Sequence, residues 1–231
     1  MKIINKILSR IKKIPYSIDS GIPISYLLSL FISRIIMLIR GSIVFCKKNN
    51  SGFKILFVDK NVTIKCASKL TLGKYCSIGR NSYIDALSKD GIFFGNNVSV
   101  GKNTTIECTG SLTFLGKGLR VGNNVGLGTH GFFGAAGGIE IGDDTILGNF
   151  VSIHSENHNF KDLSTPIRLQ GVNQIGIKIG KECWIGAKAT ILDGTIIGNH
   201  CVVSAGAVVR GKYPNNCVIG GVPSRILKMI E

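Results

Sequence analysis

The sequence contains few acidic residues: 13 Asp and Glu stand against 28 Lys and Arg, which gives a formal charge of +15. Residues 1–50 are especially basic, with nine basic residues and one acidic residue, Asp19. A basic surface attracts anionic membranes, nucleic acids and phosphorylated small molecules. Aromatic residues make up only 7% of the chain, and we find no RNA-stacking motif, so we expect no nucleic-acid partner.

A long uncharged apolar segment is also missing. The longest one, residues 21–33, has 13 residues, whereas a membrane-spanning helix needs about 20. Arg34 and Arg40 interrupt the apolar sequence that follows. The long basic stretch before it, with no clear cleavage site after it, argues against a secretory signal peptide. We therefore expect residues 1–50 to form an amphipathic helix that lies on a membrane or partner, or packs back on the rest of the protein.

The chain lacks the cysteine spacing of a zinc site. Its seven cysteines are odd in number and include no Cys-x-x-Cys, so we expect neither a disulfide framework nor a bound metal. Several occupy repeat positions where a small apolar side chain fits. We expect buried free thiols in a reducing cytoplasm.

Glycine, by contrast, is abundant, with 30 residues, and it accompanies a six-residue repeat. The repeated position is aliphatic or aromatic: Leu72, Ile78, Ile84; Phe94, Val100, Ile106, Leu112; Val121, Leu127; Ile141, Leu147, Ile153; Ile179, Ile185, Ile191, Ile197, Val203, Val209. This period fits neither an α-helix nor simple strand alternation. It predicts a coil of three flat faces with one inward side chain per short parallel strand, and with Gly, Asn and Asp at the corners. Spacing alone does not distinguish this coil from other stackings of short strands.

The repeat is interrupted in three places. The interval from Ile84 to Phe94 is ten residues, and the phase is lost over residues 131–139. The interval from Ile153 to Ile179 is 26 residues, which is not a multiple of six. A loop must therefore leave the coil there, and loops on a rigid scaffold concentrate function.

That loop contains two of the four histidines, His154 and His158, the second of which follows Asn157. A histidine titrates near neutral pH and can take a proton from a hydroxyl or an amine. An isolated loop histidine is more often a solvated polar residue, but here it coincides with a sharp break in a regular scaffold.

Three segments together resemble a known family. They are NHNF followed by STPI within residues 157–167, IGKECWIGAKATILDGTIIGNHCVVSAGAVV at residues 179–209, and GGVPSRILK at residues 220–228. The sequence resembles the hexapeptide-repeat acetyltransferases, above all the O-acetyltransferases of bacterial capsule, exopolysaccharide and O-antigen synthesis. The likeness covers roughly residues 60–229.

The resemblance implies an all-β, left-handed parallel β-helix that assembles as a homotrimer and uses acetyl-coenzyme A as co-substrate, without a metal. With the N-terminal helical, amphipathic extension, the expected organisation is residues 1–50 for the extension, 51–220 for the β-helix with a loop at about 154–178, and 221–231 for a C-terminal tail. The implied acceptor is a sugar or glycan hydroxyl. The implied location is the cytoplasm, with peripheral contact at the inner, anionic face of the membrane.

The resemblance also assigns catalytic roles. His158 matches the family's general base, and His154 is the second candidate. The backbone amide of Ala187 matches the oxyanion donor. The implied reaction is direct transfer, without a covalent enzyme intermediate, in which bound donor and acceptor react as one complex.

Further residues match the family's coenzyme A groove. Trp184 and Ala205 correspond to the wall and backbone that contact the pantetheine arm, although Trp184 could equally be a surface-capping aromatic. Arg210 and Arg225 correspond to phosphate contacts, against the plainer interpretation of a basic surface without a ligand.

The acceptor pocket does not transfer from the relatives. Where several of them carry acidic residues, this chain has Ala135 to Gly138. His130 matches a polar acceptor-binding residue, although a turn residue is the simpler interpretation. His130, His154 and Asn157 are the candidates for contact with the acceptor.

Three other functions compete with O-acetylation. A γ-class carbonic anhydrase shares this fold but needs three zinc-binding histidines, a role that the spacing of His130, His154 and His158 fits poorly. A nucleotide-sugar N-acyltransferase shares the fold and co-substrate, but residues 1–60 are short and apolar for a nucleotide-binding domain. A non-catalytic membrane-associated scaffold needs no active site, and the matches to catalytic positions argue against it.

Overall fold

The computed structural model describes residues 17–46 and 55–231 of the chain. Its contacts divide the chain into two units, Met1–Ile36 and Met37–Glu231. In the part of the chain that the structure describes, one α-helix, α1, extends over Ile24–Cys46. Its first half exposes most of its large apolar side chains. Within the second unit, Arg40 lies 3.7 Å from the Asp59 carboxylate.

The described part of residues 55–231 is a left-handed β-helix of parallel strands with three faces. Face 1 contains β1 (Phe57–Val58), β4 (Ser77–Ile78), β7 (Ser99–Val100), β12 (Ile146–Leu147), β17 (Trp184–Ile185), β20 (Val202–Val203), β23 (Cys217–Gly220) and β24 (Arg225–Met229). Gly126 bridges β7 to β12 and makes this face continuous.

The other two faces contain seven strands each. Face 2 contains β2 (Thr63–Lys65), β5 (Tyr83–Asp85), β8 (Thr105–Glu107), β10 (Phe132–Gly134), β13 (Ser152–His154), β18 (Thr190–Leu192) and β21 (Val208–Val209). Face 3 contains β3 (Leu70–Leu72), β6 (Ile92–Phe94), β9 (Leu119–Val121), β11 (Ile139–Ile141), β16 (Ile177–Ile179), β19 (Ile196–Ile197) and β22 (Lys212–Tyr213). These strands pair in parallel within each face, whereas β24 closes face 1 as an antiparallel strand on β23.

Four short elements lie outside these faces. Strands β14 (Asn157–His158) and β15 (Val172–Asn173) form an antiparallel hairpin. The 3-10 helices cover Ala67–Lys69 and Ile167–Leu169.

The inward side chains explain the six-residue period. Leucine, isoleucine, valine and phenylalanine fill the centre of the coil as one continuous core, because alternate residues of a strand point to opposite sides. From face 3 to face 1, and from face 1 to face 2, successive inward residues are always six apart, as in Ile179, Ile185 and Ile191. The predicted three-faced coil is confirmed.

All irregular spacing falls at the edge between face 2 and face 3, which we call the variable edge. Intervals across it are 8, 10, 15, 8, 26, 6 and 4 residues along the chain. The longest of these, between Ile153 and Ile179, contains the predicted loop.

Two details of the predicted repeat need correction. Leu112, expected to point inward, is 90% exposed, because it lies in a loop at the variable edge. Residues 131–139 do form strands: Phe133 is buried six residues after Leu127, and the phase shifts by two residues only between Phe133 and Ile141.

Five of the six cysteines of the β-helix are buried, as expected, and Cys66 is exposed. Burial raises the pKa of Cys108 to about 12, so its thiol stays protonated and unreactive at neutral pH.

Candidate active site

The long loop at the variable edge forms a β-hairpin that carries His158. The chain leaves face 2 after His154, and Asn157 and His158 pair with Asn173 and Val172. The Asn159 amide extends the ladder by donating to the Gly171 carbonyl at 3.0 Å. The predicted base is thus held on paired backbone rather than on a free loop.

The His158 side chain is exposed and borders a surface cavity. The cavity is lined by Asn157, His158, Asn159, Phe160, Lys161, Asp162, Thr165, Leu169, Gln170, Asn173 and Arg210. Two residues matched independently to the family, His158 and Arg210, therefore share one cavity although they are 52 positions apart in the sequence.

His154 has a different environment. It is half-buried at the end of β13, with its ring centroid 5.3 Å from that of Phe132. Its Nε2 lies 2.7 Å from the Ser152 hydroxyl. Burial lowers the pKa of His154, because desolvation disfavours the charged imidazolium.

Trp184 lies on face 1. Ala187 and Ala205 lie between face 1 and face 2, on the side of face 2 that is away from the variable edge. Ala187 and Ala205 are exposed at the corner between faces 1 and 2. A side chain on Gly148 would approach the Ala187 nitrogen to 2.6 Å, so glycine is required for this stacking of corners.

Trp184 points outward on face 1 and is 55% exposed. It stacks in register with Ile146 on one side and Val202 on the other. Outward apolar residues on neighbouring strands make this part of face 1 an apolar strip beside the corner that carries Ala187.

Arg210 and Arg225 lie near each other because both are next to Ser224, one in space and the other in the chain. The Arg210 amide donates to the Ser224 hydroxyl oxygen at 3.3 Å, and Arg225 is the next residue, at the start of β24. Tyr213 reinforces this junction, with its hydroxyl oxygen 2.6 Å from that of Ser224. Both arginine side chains are exposed, which suits them to bind an anion.

His130 belongs to a corner ladder between faces 1 and 2. Its backbone adopts a left-handed conformation, with φ of 57°, and Asn103 Nδ2 lies 3.1 Å from its Nε2. Its ring stacks on Phe150 with centroids 4.7 Å apart. These contacts continue the Asn61–Asn81–Asn103 ladder and account for His130 as a turn residue.

One chain thus brings some of the predicted site residues together and separates others. His158, Asn157 and Arg210 share the cavity at the variable edge. Ala187 and Ala205 lie at another corner, across the width of face 2. Among the described residues, no group of three His, Cys, Asp or Glu side chains could hold a metal ion.

Asp193, which was not predicted from the sequence, is buried against the base of the hairpin. The Asn157 side-chain amide donates to its Oδ2 at 3.5 Å. From the sequence alone, Asp193 is indistinguishable from an ordinary corner residue, because it precedes a glycine as in an Asp-Gly turn. The only available signal was its position one coil after the break in the repeat.

One family model and several known proteins match this chain. The family described as "Bacterial transferase hexapeptide (six repeats)" matches residues 176–211. "Putative lipopolysaccharide biosynthesis O-acetyl transferase WbbJ" of Escherichia coli is 33% identical over 172 residues, which covers 71% of this chain and 74% of WbbJ.

A second relative is matched over a smaller share of its length. "Probable acetyltransferase Rv3034c" of Mycobacterium tuberculosis is 35% identical over 135 residues, which is 58% of this chain and 43% of the relative. The chain therefore spans less than half of that protein.

A solved structure supports the fold. A mutant of AntD, an N-acyltransferase from Bacillus cereus in complex with dTDP and coenzyme A, superposes with a TM-score of 0.54 at 18% identity. The superposition covers 76% of this chain and 82% of AntD. At this identity the likeness concerns the fold alone.

Proposed function

Because this chain belongs to the hexapeptide-repeat acetyltransferases, we propose that it transfers an acetyl group from acetyl-coenzyme A to a hydroxyl of a sugar or polysaccharide intermediate. The observation that carries the proposal is the cavity shared by His158 and Arg210. The cavity combines the exposed imidazole of His158, which can take a proton from a hydroxyl, with the guanidinium group of Arg210, which can bind an anionic donor.

In the proposed reaction His158 acts as the general base. It takes the proton of the acceptor hydroxyl while that oxygen attacks the thioester carbon. The carbon–sulfur bond then breaks, the thiolate of coenzyme A leaves, and the acetyl ester remains on the acceptor. An imidazole exposed to the cavity can reach a bound hydroxyl, whereas the Nε2 of His154 already lies against the Ser152 hydroxyl.

The donor would be held through its phosphates and its pantetheine arm. Arg210 and Arg225 lie close together at the last coil and supply cations for the phosphates. Trp184 and the exposed corner with Ala187 and Ala205 offer an apolar wall and accessible backbone. The Ala187 amide would stabilise the oxyanion that develops on the thioester carbonyl.

We further propose that the active site is completed by a second copy within a homotrimer. Within one chain His158 and Ala187 lie at different corners, with face 2 between them. The base of one chain can meet the oxyanion donor of a neighbour only if two β-helices pack side by side. Closed cyclic assembly would create three equivalent sites.

Acetylation of an amine is the competing chemistry, since AntD is an N-acyltransferase with the same fold. An O-acetyl acceptor is supported by the 33% identity to WbbJ over most of both chains. The lability of the product decides between them, because hydroxylamine cleaves an acetyl ester and leaves an acetamide intact.

We propose that α1 keeps the enzyme at the inner face of the cytoplasmic membrane. The segment Ile24–Ile43 is long and apolar enough to cross a membrane, by length and composition alone. Nine basic residues within residues 1–50 would add attraction to anionic lipids. Both features suit an acceptor carried on a lipid.

The test measures thiol release from acetyl-coenzyme A with panels of sugars and amino sugars. His158→Ala should lower kcat by at least about 100-fold, the low end of the contribution of a general base. The matched control is His200→Asn, at an exposed corner where the repeat also uses asparagine, and it should leave kcat unchanged. Full activity of His158→Ala would refute the assignment, and hydroxylamine-resistant product would assign N-acetylation.

A further inference from the structure

Asp193 is a buried carboxylate in a place where the repeat uses small neutral residues. It follows β18 at the variable edge and is 1% exposed. The equivalent positions of the other coils, two residues after the inward residue of face 2, are Cys66, Ala86, Cys108, Ala135, Ser155 and Gly211. The β-helix therefore does not itself require an acid here.

The carboxylate binds the outgoing strand of the His158 hairpin and the segment that follows its returning strand, β15. In that segment, Oδ1 accepts from the Gly176 amide at 2.7 Å, and both oxygens lie 3.1 Å from the Ile175 amide. On the outgoing strand, Oδ2 accepts from the Asn157 side-chain amide at 3.5 Å. These donors offset the cost of burying the carboxylate.

Because Asn157 is the neighbour of His158, the contact between Asp193 and Asn157 also restrains His158. Asn157 and His158 are neighbours in one strand, so their side chains point to opposite sides. The half-buried Asn157 side-chain amide reaches Asp193 Oδ2, and the exposed His158 side chain borders the cavity, whose lining also includes Asn157. A fixed Asn157 therefore fixes the direction in which the imidazole of His158 leaves the strand.

We propose that Asp193 is a positioning residue for His158: its carboxylate joins the outgoing strand of the hairpin to the segment that follows the returning strand and aims the imidazole at the cavity. This inference rests on the proposed function of His158. Asp193 itself touches no reacting atom. A carboxylate suits the role because its two oxygens only accept hydrogen bonds, whereas an amide would turn a donor towards the donors of Ile175 or Asn157.

The test uses two variants of the full-length protein. Asp193→Asn keeps the shape and removes the charge, and Asp193→Ser introduces a residue that the equivalent position of the previous coil already holds, so the β-helix should fold. Asp144→Asn is the matched control, since Asp144 accepts from Asn124 at an exposed corner remote from the hairpin. Both Asp193 variants should lower kcat by about 10- to 100-fold, the cost of a small misplacement, and the control should not.

Two further readouts separate positioning from a general structural role. Amide hydrogen exchange should accelerate in residues 157–176 and stay unchanged in the strands of the β-helix. The double variant His158→Ala with Asp193→Asn should be no slower than His158→Ala alone, because Asp193 acts through His158.

The outcomes are distinguishable from those of the proposed function. If His158→Ala is inactive and both Asp193 variants turn over within about twofold of wild type, the positioning role alone is overturned. A loss of kcat accompanied by faster exchange throughout the β-helix also overturns it, since that indicates a fold defect. If His158→Ala is active, the proposed function fails first.

Discussion

At the scale of single residues, His154 and His158 differ in surroundings although they are four positions apart. His154 lies on a face of the coil against Phe132 and Ser152, and His158 lies on the hairpin that departs from it. The family motif predicts His158 as the general base, and the structure places its side chain at a cavity. His154 is half-buried because β13 pairs with β10, which brings it beside Phe132. The six-residue spacing of the sequence does not by itself reveal this pairing.

The half-buried position of His154 predicts how the free energy of unfolding changes at acidic pH. Its pKa is lowered in the folded protein by burial, so the unfolded chain takes up a proton at a pH where the folded chain resists one. As the pH falls through the ordinary histidine range, at about 6.5, the free energy of unfolding should therefore decrease. His154→Gln should reduce this decrease between about pH 7 and pH 5.

Urea denaturation at a series of pH values checks this prediction. The matched control is His200→Gln, at an exposed corner, which should retain the acid sensitivity of the wild type. An unchanged pH slope in His154→Gln would contradict a lowered pKa of His154 in the folded protein.

The inward positions were predictable where the regular repeat determined them, and not elsewhere. The inward positions from Ile179 to Val209 followed from counting in sixes. The prediction for Leu112 is wrong because this residue follows Ile106 by six positions only by coincidence, inside an insertion. Asp193 was missed because its partners lie 17 to 36 residues away in the sequence.

At the scale of elements, the strands are too short to be stable alone and depend on the central core. In β19, Ile197 is 2% exposed and its neighbour Ile196 is 39% exposed. The two have the same side chain on the same strand, so their comparison isolates burial.

Ile197→Ala should lower the free energy of unfolding by about 2–5 kcal/mol, as for buried aliphatic residues elsewhere. Ile196→Ala, the internal control, should lower it by no more than about 1 kcal/mol. Urea denaturation followed by circular dichroism measures both values. Equal effects would contradict the assignment of Ile197 to the core.

The helix α1 was predictable as an element but not in extent. Arg34 and Arg40 interrupt the uncharged apolar sequence, yet one helix continues past both to Cys46. A long arginine side chain does not break a helix, and its aliphatic stem can lie along apolar surface. Counting uncharged residues therefore underestimated the apolar helix.

This helix predicts binding of the full chain to anionic vesicles. Phe31→Asp combined with Ile35→Asp replaces two exposed apolar residues of α1 and should weaken binding at least about tenfold, given the cost of acids in lipid. Leu112→Asp, on the exposed loop of the β-helix, should bind like wild type. Cosedimentation with vesicles measures this, and equal binding of all variants would exclude α1 as the anchor.

At the scale of the whole molecule, the separation of His158 from Ala187 predicts that each chain is incomplete. His158→Ala and Ala187→Pro, which removes the backbone donor, should each be inactive. If the site lies between copies, mixed trimers contain some interfaces with both functional parts. Unfolding and refolding the two variants together should restore about a quarter of wild-type activity, since half of the chains carry each part.

Each variant refolded by itself is the control for this complementation and should remain inactive. An inactive mixture in which mass measurement finds mixed trimers would contradict a shared site. A monomeric protein with full activity would contradict it more directly.

The variable edge has a consequence for how such proteins diverge and can be redesigned. Two corners of the prism accept no change in length, because one added residue there would rotate every later side chain out of the core. The third corner already tolerates intervals from 4 to 26 residues. Loops of different lengths can therefore be exchanged at that corner, while the stacked coils beneath them keep their sequence.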